Sequence, residues 1–390
     1  MRKVFSQSMI LALFVAFLYE SESALLSYIN STFLTENFNL SADQVGLLFS
    51  AGSIISLILL FIAPKYIYKF GKQKILVTFS LITALCVFLV SSIPFPLAAF
   101  MFILFLAGNQ IIWYLIDLEV EDETPVKDTG RMRGVLFTLL NFSWLIFPAL
   151  AARLIGHGIS LSAFYTWTAV ALVTIAITTL LQPDSRMTPK ISPSQVSYAH
   201  ILEFFKSTER NILFGVHLIL KIFYAVMIIY TPLYLREVQN IPWSQIDGIF
   251  FVMLLPFVLL EFPIGYLEDK KFKEHFFLRI GFVVMFISLI VFVLTTSPKW
   301  IIWALILFST RIGAALIEVS AESAFFKKIK RSEIEFISVF RSATPIAFIV
   351  TPIFASVLIS SSSQILAAFT IPIVLSGLGF YKSWQLSRLK

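Results

Sequence analysis

Charged residues are scarce in this chain, and their scarcity excludes a soluble globular protein. Asp, Glu, Lys and Arg make up 14% of the 390 residues, whereas soluble domains carry about 25%. Hydrophobic residues account for 58% of the chain, 41 positions are phenylalanine, and the mean hydropathy is +0.87. The composition therefore predicts a polytopic membrane protein.

Cysteine and the common catalytic motifs are also scarce or missing. The one cysteine, Cys86, lies in an apolar run and excludes an internal disulfide, and the four histidines are scattered. The sequence has no glycine-rich phosphate loop, zinc-ligand spacing or nucleophile elbow. We therefore expect a protein that is not an enzyme and that holds no metal or other cofactor.

Apolar runs long enough to cross a bilayer recur along the chain. A helix needs about 20 residues to span a hydrocarbon core of about 30 Å. Twelve such segments are present, at residues 8–34, 45–66, 74–93, 97–118, 134–156, 160–181, 212–235, 245–267, 276–296, 300–321, 336–359 and 364–384. Their length and lack of alternation favour helices over strands. The sequence therefore predicts an all-α fold with twelve transmembrane helices.

Basic residues are distributed unevenly between the loops. With the N-terminus placed inside, 24 of the 30 lysines and arginines fall in cytoplasmic segments, and only Arg153, Arg236 and Lys299 fall on the opposite side. The positive-inside rule therefore places both termini in the cytoplasm. The net charge of +7 is then a topology signal and does not indicate a nucleic-acid partner. We expect a monomer embedded in the lipid bilayer of a plasma membrane, such as a bacterial inner membrane.

The first segment permits two interpretations, and an internal repeat favours one of them. Its basic start, apolar centre and small residues at 21–24 also match a secretory signal with a cleavage site. However, a shift of about 201 residues superimposes 33–50 on 234–251 and 115–122 on 316–323, and a shift of 204 superimposes 147–155 on 351–359. The first segment then has the seventh as its counterpart, so we expect it to be retained.

The repeat divides the chain into two six-helix halves. They comprise residues 1–181 and 212–390, and the connection at 182–211 is rich in proline and serine. The basic residues of this linker predict a cytoplasmic position. Within it, residues 198–206 predict a short helix on the membrane surface.

Two such halves joined by a cytoplasmic linker resemble the major facilitator superfamily of secondary transporters over essentially the whole chain. The loop signature of that family is better preserved in the second half, at Gly265, Leu267, Asp269 and Lys270. The first half keeps Lys69, Gly71 and Lys72. The glycine-rich antiporter motif of the fifth helix is degenerate, since Pro148 is kept beside Phe147, Ala151 and Ala152. This departure does not favour a drug antiporter.

Polar residues lie near the middle of the first, fourth, seventh and tenth segments, which line the central cavity in that family. They are Glu20, Glu22, Asn109, Gln110, His217, Lys221 and Arg311. A charge at the bilayer centre costs about 2.5–3.5 kcal/mol on insertion scales, so such residues usually face a wet interior or a partner. We therefore predict that these residues form a substrate and proton pathway.

The repeat also predicts contacts within this pathway. A shift of 201 places Glu20 over Lys221 and Gln110 over Arg311. The opposite charges are expected either to meet across the cavity or to bind the two ends of a zwitterionic or anionic solute. Glu22 points away from Glu20 on a helical wheel. Several alternatives stay open: a purely structural Glu20–Lys221 pair, interhelical hydrogen bonds for Asn109 and Gln110, and a packing role for His217.

The resemblance further implies a cytoplasmic gate of ion pairs near the loops. Its residues are Lys69, Gly71, Asp117, Glu121, Gly265, Asp269, Lys270, Glu318, Glu322 and Arg341. Ordinary salt bridges at helix ends are the alternative. The acidic run at 119–123 is expected to be a solvated loop.

These features predict a secondary active transporter that moves a small polar organic solute by alternating access. Because the chain has no nucleotide-binding motif and carries buried carboxylates, a proton gradient is the expected energy source. An anionic or zwitterionic solute suits Lys221 and Arg311, whereas an exported cationic amphiphile suits the two glutamates. The alternatives are therefore a multidrug exporter of the same fold and a membrane sensor that does not transport.

Overall fold

The computed structural model describes residues 7–123, 129–181, 198–270, 273–327, 334–359 and 362–389. Within these ranges the side chains at several helix ends, including Glu121, Asp269 and Lys270 of the predicted gate, lie outside the described residues. All regular secondary structure in the described ranges is helical.

The helices follow the predicted segments with small changes at their ends. They are α1 (Gln7–Ser27), α2 (Asn30–Phe38), α3 (Ala42–Phe70), α4 (Lys72–Val90), α5 (Leu97–Glu123), α6 (Thr129–Gly156), α7 (Leu161–Leu180), α8 (Tyr198–Lys206), α9 (Thr208–Leu233), α10 (Trp243–Lys270), α11 (Glu274–Leu294), α12 (Trp300–Phe326), α13 (Ile334–Arg341), α14 (Ala343–Leu358) and α15 (Thr370–Leu386). Among the residues described, twelve helical spans are long and apolar enough to cross a membrane. The predicted all-α class with twelve transmembrane helices is confirmed.

Three predicted segments are interrupted. The first breaks at Tyr28 and Ile29 between α1 and α2, and the eleventh breaks between α13 and α14. The twelfth begins with a 3₁₀ helix (Ser362–Phe369) before α15, and α9 runs into a π-helical turn (Tyr234–Val238). Periodicity and hydropathy do not distinguish these local changes of helix type from a continuous helix.

The internal repeat is visible in the backbone. Asn39 and Asn240, which are related by the shift of 201, both adopt left-handed conformations, with φ of 54° and 53°. Asparagine tolerates this region better than most residues with a side chain. Each of the two ends the first membrane-spanning part of its half, so the same turn is built twice.

The two halves meet along two seams. In one seam α3 packs against α14, and in the other α6 packs against α10. Within the first half α1 packs on α5, α6 and α7, and within the second half α9 packs on α12, α14 and α15. The end of the bundle at which α1 begins and α15 ends is called here the linker face, because residues 181 and 198 also lie there. The opposite end is the far face.

Close helix contacts shut the bundle at the far face. A Cβ on Gly46 of α3 would lie 2.5 Å from the Tyr230 hydroxyl and 2.9 Å from Pro352, so only glycine fits there without displacing α9 or α14. At the other seam, Gly156 of α6 lies against the backbone of Ser244 at the start of α10. Because these contacts join elements of different halves, they hold the halves together at this face.

Side chains complete the closure of the far face. Tyr28 lies 4.8 Å from Phe250, ring centroid to ring centroid, and both rings are buried. Near the surface, Arg236 pairs with Glu36 at 3.4 Å. Nearer the linker face, by contrast, the side chain of Glu318 in the interior is 27% exposed. The contacts between the halves therefore close the far face, whereas Glu318, nearer the linker face, keeps part of its side chain exposed.

The short helix predicted in the linker is present as α8. Its Phe204 is fully buried and contacts the rings of Phe214, Phe325 and Phe336. The helix is thus anchored on the second half by an aromatic side chain.

Candidate functional site

Glu20 is held by a tryptophan of the same half. Its Oε2 accepts a hydrogen bond of 2.7 Å from the indole Nε1 of Trp144 on α6, and the side chain is buried. The next residue, Ser21, lies 3.3 Å from Ser143, hydroxyl to hydroxyl. Tyr28 packs edge-on against the same indole at 6.4 Å. Glu20 therefore faces α6 and an aromatic wall.

Glu22 faces α5 and has no hydrogen-bond partner. It is 3% exposed, and neither of its carboxyl oxygens accepts a hydrogen bond. The side chain of Asn109 lies within interacting range, and its Oδ1 is likewise buried without a partner. Tyr19 fixes this part of α5, because its hydroxyl donates to the Asn109 carbonyl at 3.1 Å and its ring stacks on Trp113 at 5.5 Å. The expectation that Glu20 and Glu22 point to different places agrees with these contacts.

Lys221 pairs with a carboxylate of its own half, which corrects the expected Glu20–Lys221 contact. Its Nζ lies 3.0 Å from Oε1 of Glu318 on α12. Tyr224, one turn further along α9, donates its hydroxyl to the other oxygen of Glu318 at 2.6 Å. The prediction failed because symmetry-related depth does not determine which neighbouring helix a side chain faces.

Arg311 is a buried cation without a counter-ion among the described residues. It is 1% exposed, donates to the Thr310 hydroxyl at 3.2 Å, and lies 5.1 Å from the centroid of the Phe223 ring. Its repeat-related partner Gln110 is half-buried on α5.

His217 lies in an aromatic stack. It is fully buried, its ring stacks on Phe340 at 4.1 Å, and Phe340 stacks in turn on Phe325 at 3.8 Å. Neither ring nitrogen has a hydrogen-bond partner in the described structure. These surroundings favour the alternative of a packing residue over a place in the pathway.

One polar contact between the halves, from Asn141 to Glu261, was missed by the sequence analysis, although Glu261 is a charge at the same inner depth as the predicted gate residue Arg341. Asn141 of α6 donates its amide to Oε2 of Glu261 on α10 at 2.5 Å. Nearer the linker face, Glu322 pairs with Arg341 at 2.6 Å. The signal for Glu261 was its charge inside an apolar segment, but its repeat counterpart is Leu60, so the repeat gave no support.

Of the predicted gate residues that the structure describes, Glu322 and Arg341 form an ion pair, and the residues of the first half lie elsewhere. Lys69 is exposed and lies over the Phe70 ring at 5.0 Å, and Asp117 is half-buried on α5. Gly71 joins α3 to α4 with φ of 84°, a conformation suited to glycine. Gly265 lies inside α10, where an added Cβ would lie 4.0 Å from a methyl group of Val319.

A buried ion pair at this face was also missed. Lys72, at the start of α4, lies 2.8 Å from Glu119, and both side chains are buried. The expectation of a solvated acidic loop was therefore wrong for Glu119. In the second half, Ser320 occupies the position related to Glu119 and donates to Glu268, where burial raises the pKa of the carboxyl group.

The chain is similar to solved transporters along nearly its whole length. A point mutant of the nucleoside transporter NupG superimposes with a TM-score of 0.77 at 13% identity, covering 98% of this chain and 100% of that one. A bacterial homolog of the human lysosomal transporter Spinster, in an inward-facing and occupied conformation, gives 0.73 at 14%, covering 98% and 96%. A structure described for substrate recognition in proton dependent oligopeptide transporters gives 0.73 at 13%, covering 98% and 97%. These identities support a shared fold alone.

No curated protein sequence matches the chain. The model of the Major Facilitator Superfamily, however, matches residues 11–333, which is well over half of the sequence. Twelve membrane-spanning helices in two repeated halves, with charged residues in the interior, agree with that match. The chain therefore belongs to the major facilitator superfamily and is an integral membrane protein with the fold of its transporters.

Proposed function

We propose that this protein is a secondary active transporter that moves a small polar organic solute by alternating access and uses a proton gradient. One observation carries the proposal. Two carboxylates that make no ion pair among the described residues, Glu20 and Glu22, lie buried in the interior of a bundle whose two halves are closed against each other at the far face.

The uneven pairing of interior charges supports transport over a sensor role. A sensor that only adopts the fold has no need of free charges in its interior. Here Glu22 and Arg311 make no ion pair among the described residues, whereas Lys221 is held by Glu318. Isolated buried charges are costly and usually serve a pathway.

The solute proposed is polar, with a flat or partly apolar surface. Trp113 and Trp144 are only partly buried and offer such a surface, and Lys221, Glu318 and Arg311 offer charges of both signs on the other half. Nucleosides and short peptides, the solutes named for two of the similar structures, have this character. We therefore place both classes first among the solutes to be tested.

The two seams supply the hinge for alternating access. With the linker face in the cytoplasm, as the basic loops predict, the closed far face lies outside the cell, as it does in an inward-facing state. Closing the linker face and parting the α3–α14 and α6–α10 contacts at the far face gives the opposite state. Glu20 on α1 and Lys221 on α9 belong to different halves. This motion therefore changes their position relative to each other.

The experiment is uptake into proteoliposomes containing the full chain. Radiolabelled nucleosides, short peptides, amino acids and cationic amphiphiles are offered singly with an imposed pH gradient. We expect one solute class to accumulate above its external concentration and to equilibrate when a protonophore is added. Accumulation that survives the protonophore contradicts proton coupling, and preferential movement of amphiphilic cations favours the exporter alternative.

A further inference from the structure

A polar cavity lies at the linker face of the second half, where the start of α11 meets the ends of α12 and α15. Its volume is about 350 Å³, and its lining includes Lys273, Glu274 and His275 beside α11 and Ser387 and Leu389 after α15. Sites for small molecules typically measure about 300–1,000 Å³. The cavity is therefore large enough for a small polar group, and it is built by helices of the second half alone.

Lys273 lacks the ion pair that its counterpart in the first half makes. The shift of 201 relates Lys273 to Lys72, which is buried and lies 2.8 Å from Glu119. The same shift replaces Glu119 by Ser320, whose hydroxyl is directed to Glu268. Lys273 is exposed and makes no ion pair with a described residue. Its charge is therefore available to a ligand in the cavity.

The acidic groups near the cavity are already engaged. Glu274 lies 3.0 Å from Nζ of Lys327 at the end of α12. The other nearby carboxyl group, that of Glu268, is buried and accepts a hydrogen bond from Ser320. These contacts leave the carboxyl groups directed at protein partners, so they do not neutralise Lys273.

Further positive charge surrounds the cavity. Lys273 and Arg279 both lie close enough to His275 to act on its charge. The N-terminus of α11 points to the same place, and no side chain caps it. A helix N-terminus carries a partial positive charge and favours an anion. The cavity therefore suits an anionic group, and a phosphate matches both its charge and its size.

An exposed apolar stripe starts beside the cavity and follows α11 across the membrane. Its members are spaced three or four residues apart, so they share one face of the helix. They are Phe276, Ile280, Val283, Ile287, Val291 and Leu294. A soluble phosphate has no use for this stripe, whereas the acyl chains of a phospholipid fit along it while the headgroup occupies the cavity.

We propose that the cavity at the start of α11 binds the phosphate headgroup of an anionic phospholipid, with Lys273 as its main contact and the acyl chains on the α11 stripe. Basic pockets between membrane helices recognise such headgroups. The site lies outside the solute pathway, so the inference does not depend on which solute is transported or on proton coupling.

Native mass spectrometry of the full chain in detergent tests the headgroup contact. Phosphatidylglycerol and phosphatidylcholine are titrated separately, and the fraction of protein carrying one bound lipid is measured. We expect tighter binding of phosphatidylglycerol, weakened about fivefold in Lys273→Gln, the effect of one basic residue near an anionic lipid surface. Lys273→Arg should keep the affinity because it keeps the charge. Lys74→Gln is the matched control, since Lys74 is an exposed lysine at the linker face of the first half.

Equal affinity of wild type and Lys273→Gln for phosphatidylglycerol overturns the proposal, as does equal binding of the two lipids. Glycerol 3-phosphate is added as a competitor to distinguish a lipid from a soluble phosphate. Displacement of phosphatidylglycerol by an equal concentration of glycerol 3-phosphate assigns the cavity to a soluble ligand and rejects the lipid.

Crosslinking locates the acyl chains. The full chain is reconstituted in phosphatidylcholine vesicles that contain a small fraction of phosphatidylglycerol with a photoactivatable acyl chain, and the labelled peptides are identified. We expect labels concentrated on residues 276–294 in wild type and reduced there in Lys273→Gln. Labels spread evenly over the exposed faces of all helices, with no effect of Lys273→Gln, contradict a specific site.

Discussion

At positions related by the repeat, the two halves carry different charges. Glu20 and Asp117 of the first half correspond to Lys221 and Glu318 of the second. In the second half the two side chains form an ion pair of 3.0 Å. In the first half both positions are acidic, so the equivalent pair is not available. At this pair of positions the second half therefore carries a cation and a carboxylate, whereas the first half carries two carboxylates.

The Lys221–Glu318 pair is expected to act as a unit in stability. Removing one member leaves the other charge uncompensated at mid-depth, which typically costs about 3–5 kcal/mol in a fully buried site. Because the side chain of Glu318 is 27% exposed, we expect the lower end of that range. Lys221→Gln and Glu318→Gln should each lower the Tm of the detergent-solubilised protein, and the double variant should recover most of the loss.

Glu274 offers a matched control for that cycle. It pairs with Lys327 at 3.0 Å near the linker face, where the lysine side chain is 43% exposed. Exposed pairs contribute about 0.2–1 kcal/mol, so Glu274→Gln should leave the Tm nearly unchanged. Additive losses in the Lys221 and Glu318 double variant would contradict the pairing.

At the scale of helices, α3 packs closely on α14 because the residue at position 46 is a glycine and has no side chain. Gly46 lets the Tyr230 hydroxyl and Pro352 approach within contact distance of its backbone. Any larger residue must push the halves apart at the far face. The size of the residue at position 46 is therefore expected to influence whether the far face is open or closed.

Gly46→Leu is expected to shift the protein toward the state that is open at the far face. Spin labels at His157→Cys and Lys299→Cys, two exposed far-face positions, report the separation of the halves in a Cys86→Ala background. Double electron–electron resonance should show a larger population at long distance in the variant.

Gly377 provides the control, because a Cβ there meets no atom within 4 Å. Gly377→Leu should leave the distance distribution unchanged. If Gly46→Leu gives the wild-type distribution as well, the seam does not hold the far face closed.

Helix positions were predictable from sequence because length and apolarity alone define a span, and the twelve segments follow from that rule. Interior contacts were less predictable. Glu20 and Lys221 were expected to meet because the repeat gives depth, but Trp144 and Glu318 bind them instead. Glu119 was expected to lie in solvent because it begins an acidic run. Instead it pairs with Lys72 at the start of α4, the preceding helix. Both cases depend on side-chain direction, which a single sequence does not contain.

At the scale of the whole molecule, the orientation of the protein in the membrane is predicted from its basic loops. It places Lys190 and Lys390 in the cytoplasm and Lys299 outside. Single cysteines at these positions, in a Cys86→Ala background, should react with an impermeant maleimide in intact cells only at position 299. Labelling of position 190 from outside would invert the assignment and make the present conformation outward-facing.

The central claim is that solute movement is coupled to protons through the carboxylates of α1. The most direct measurement uses proteoliposomes loaded with a pH-sensitive dye, without an imposed gradient, to which the transported solute is added. We expect a change of internal pH in proportion to the solute moved. In Glu22→Gln the solute should still exchange downhill while the pH change disappears. Solute entry in wild type without any change of internal pH would contradict the account.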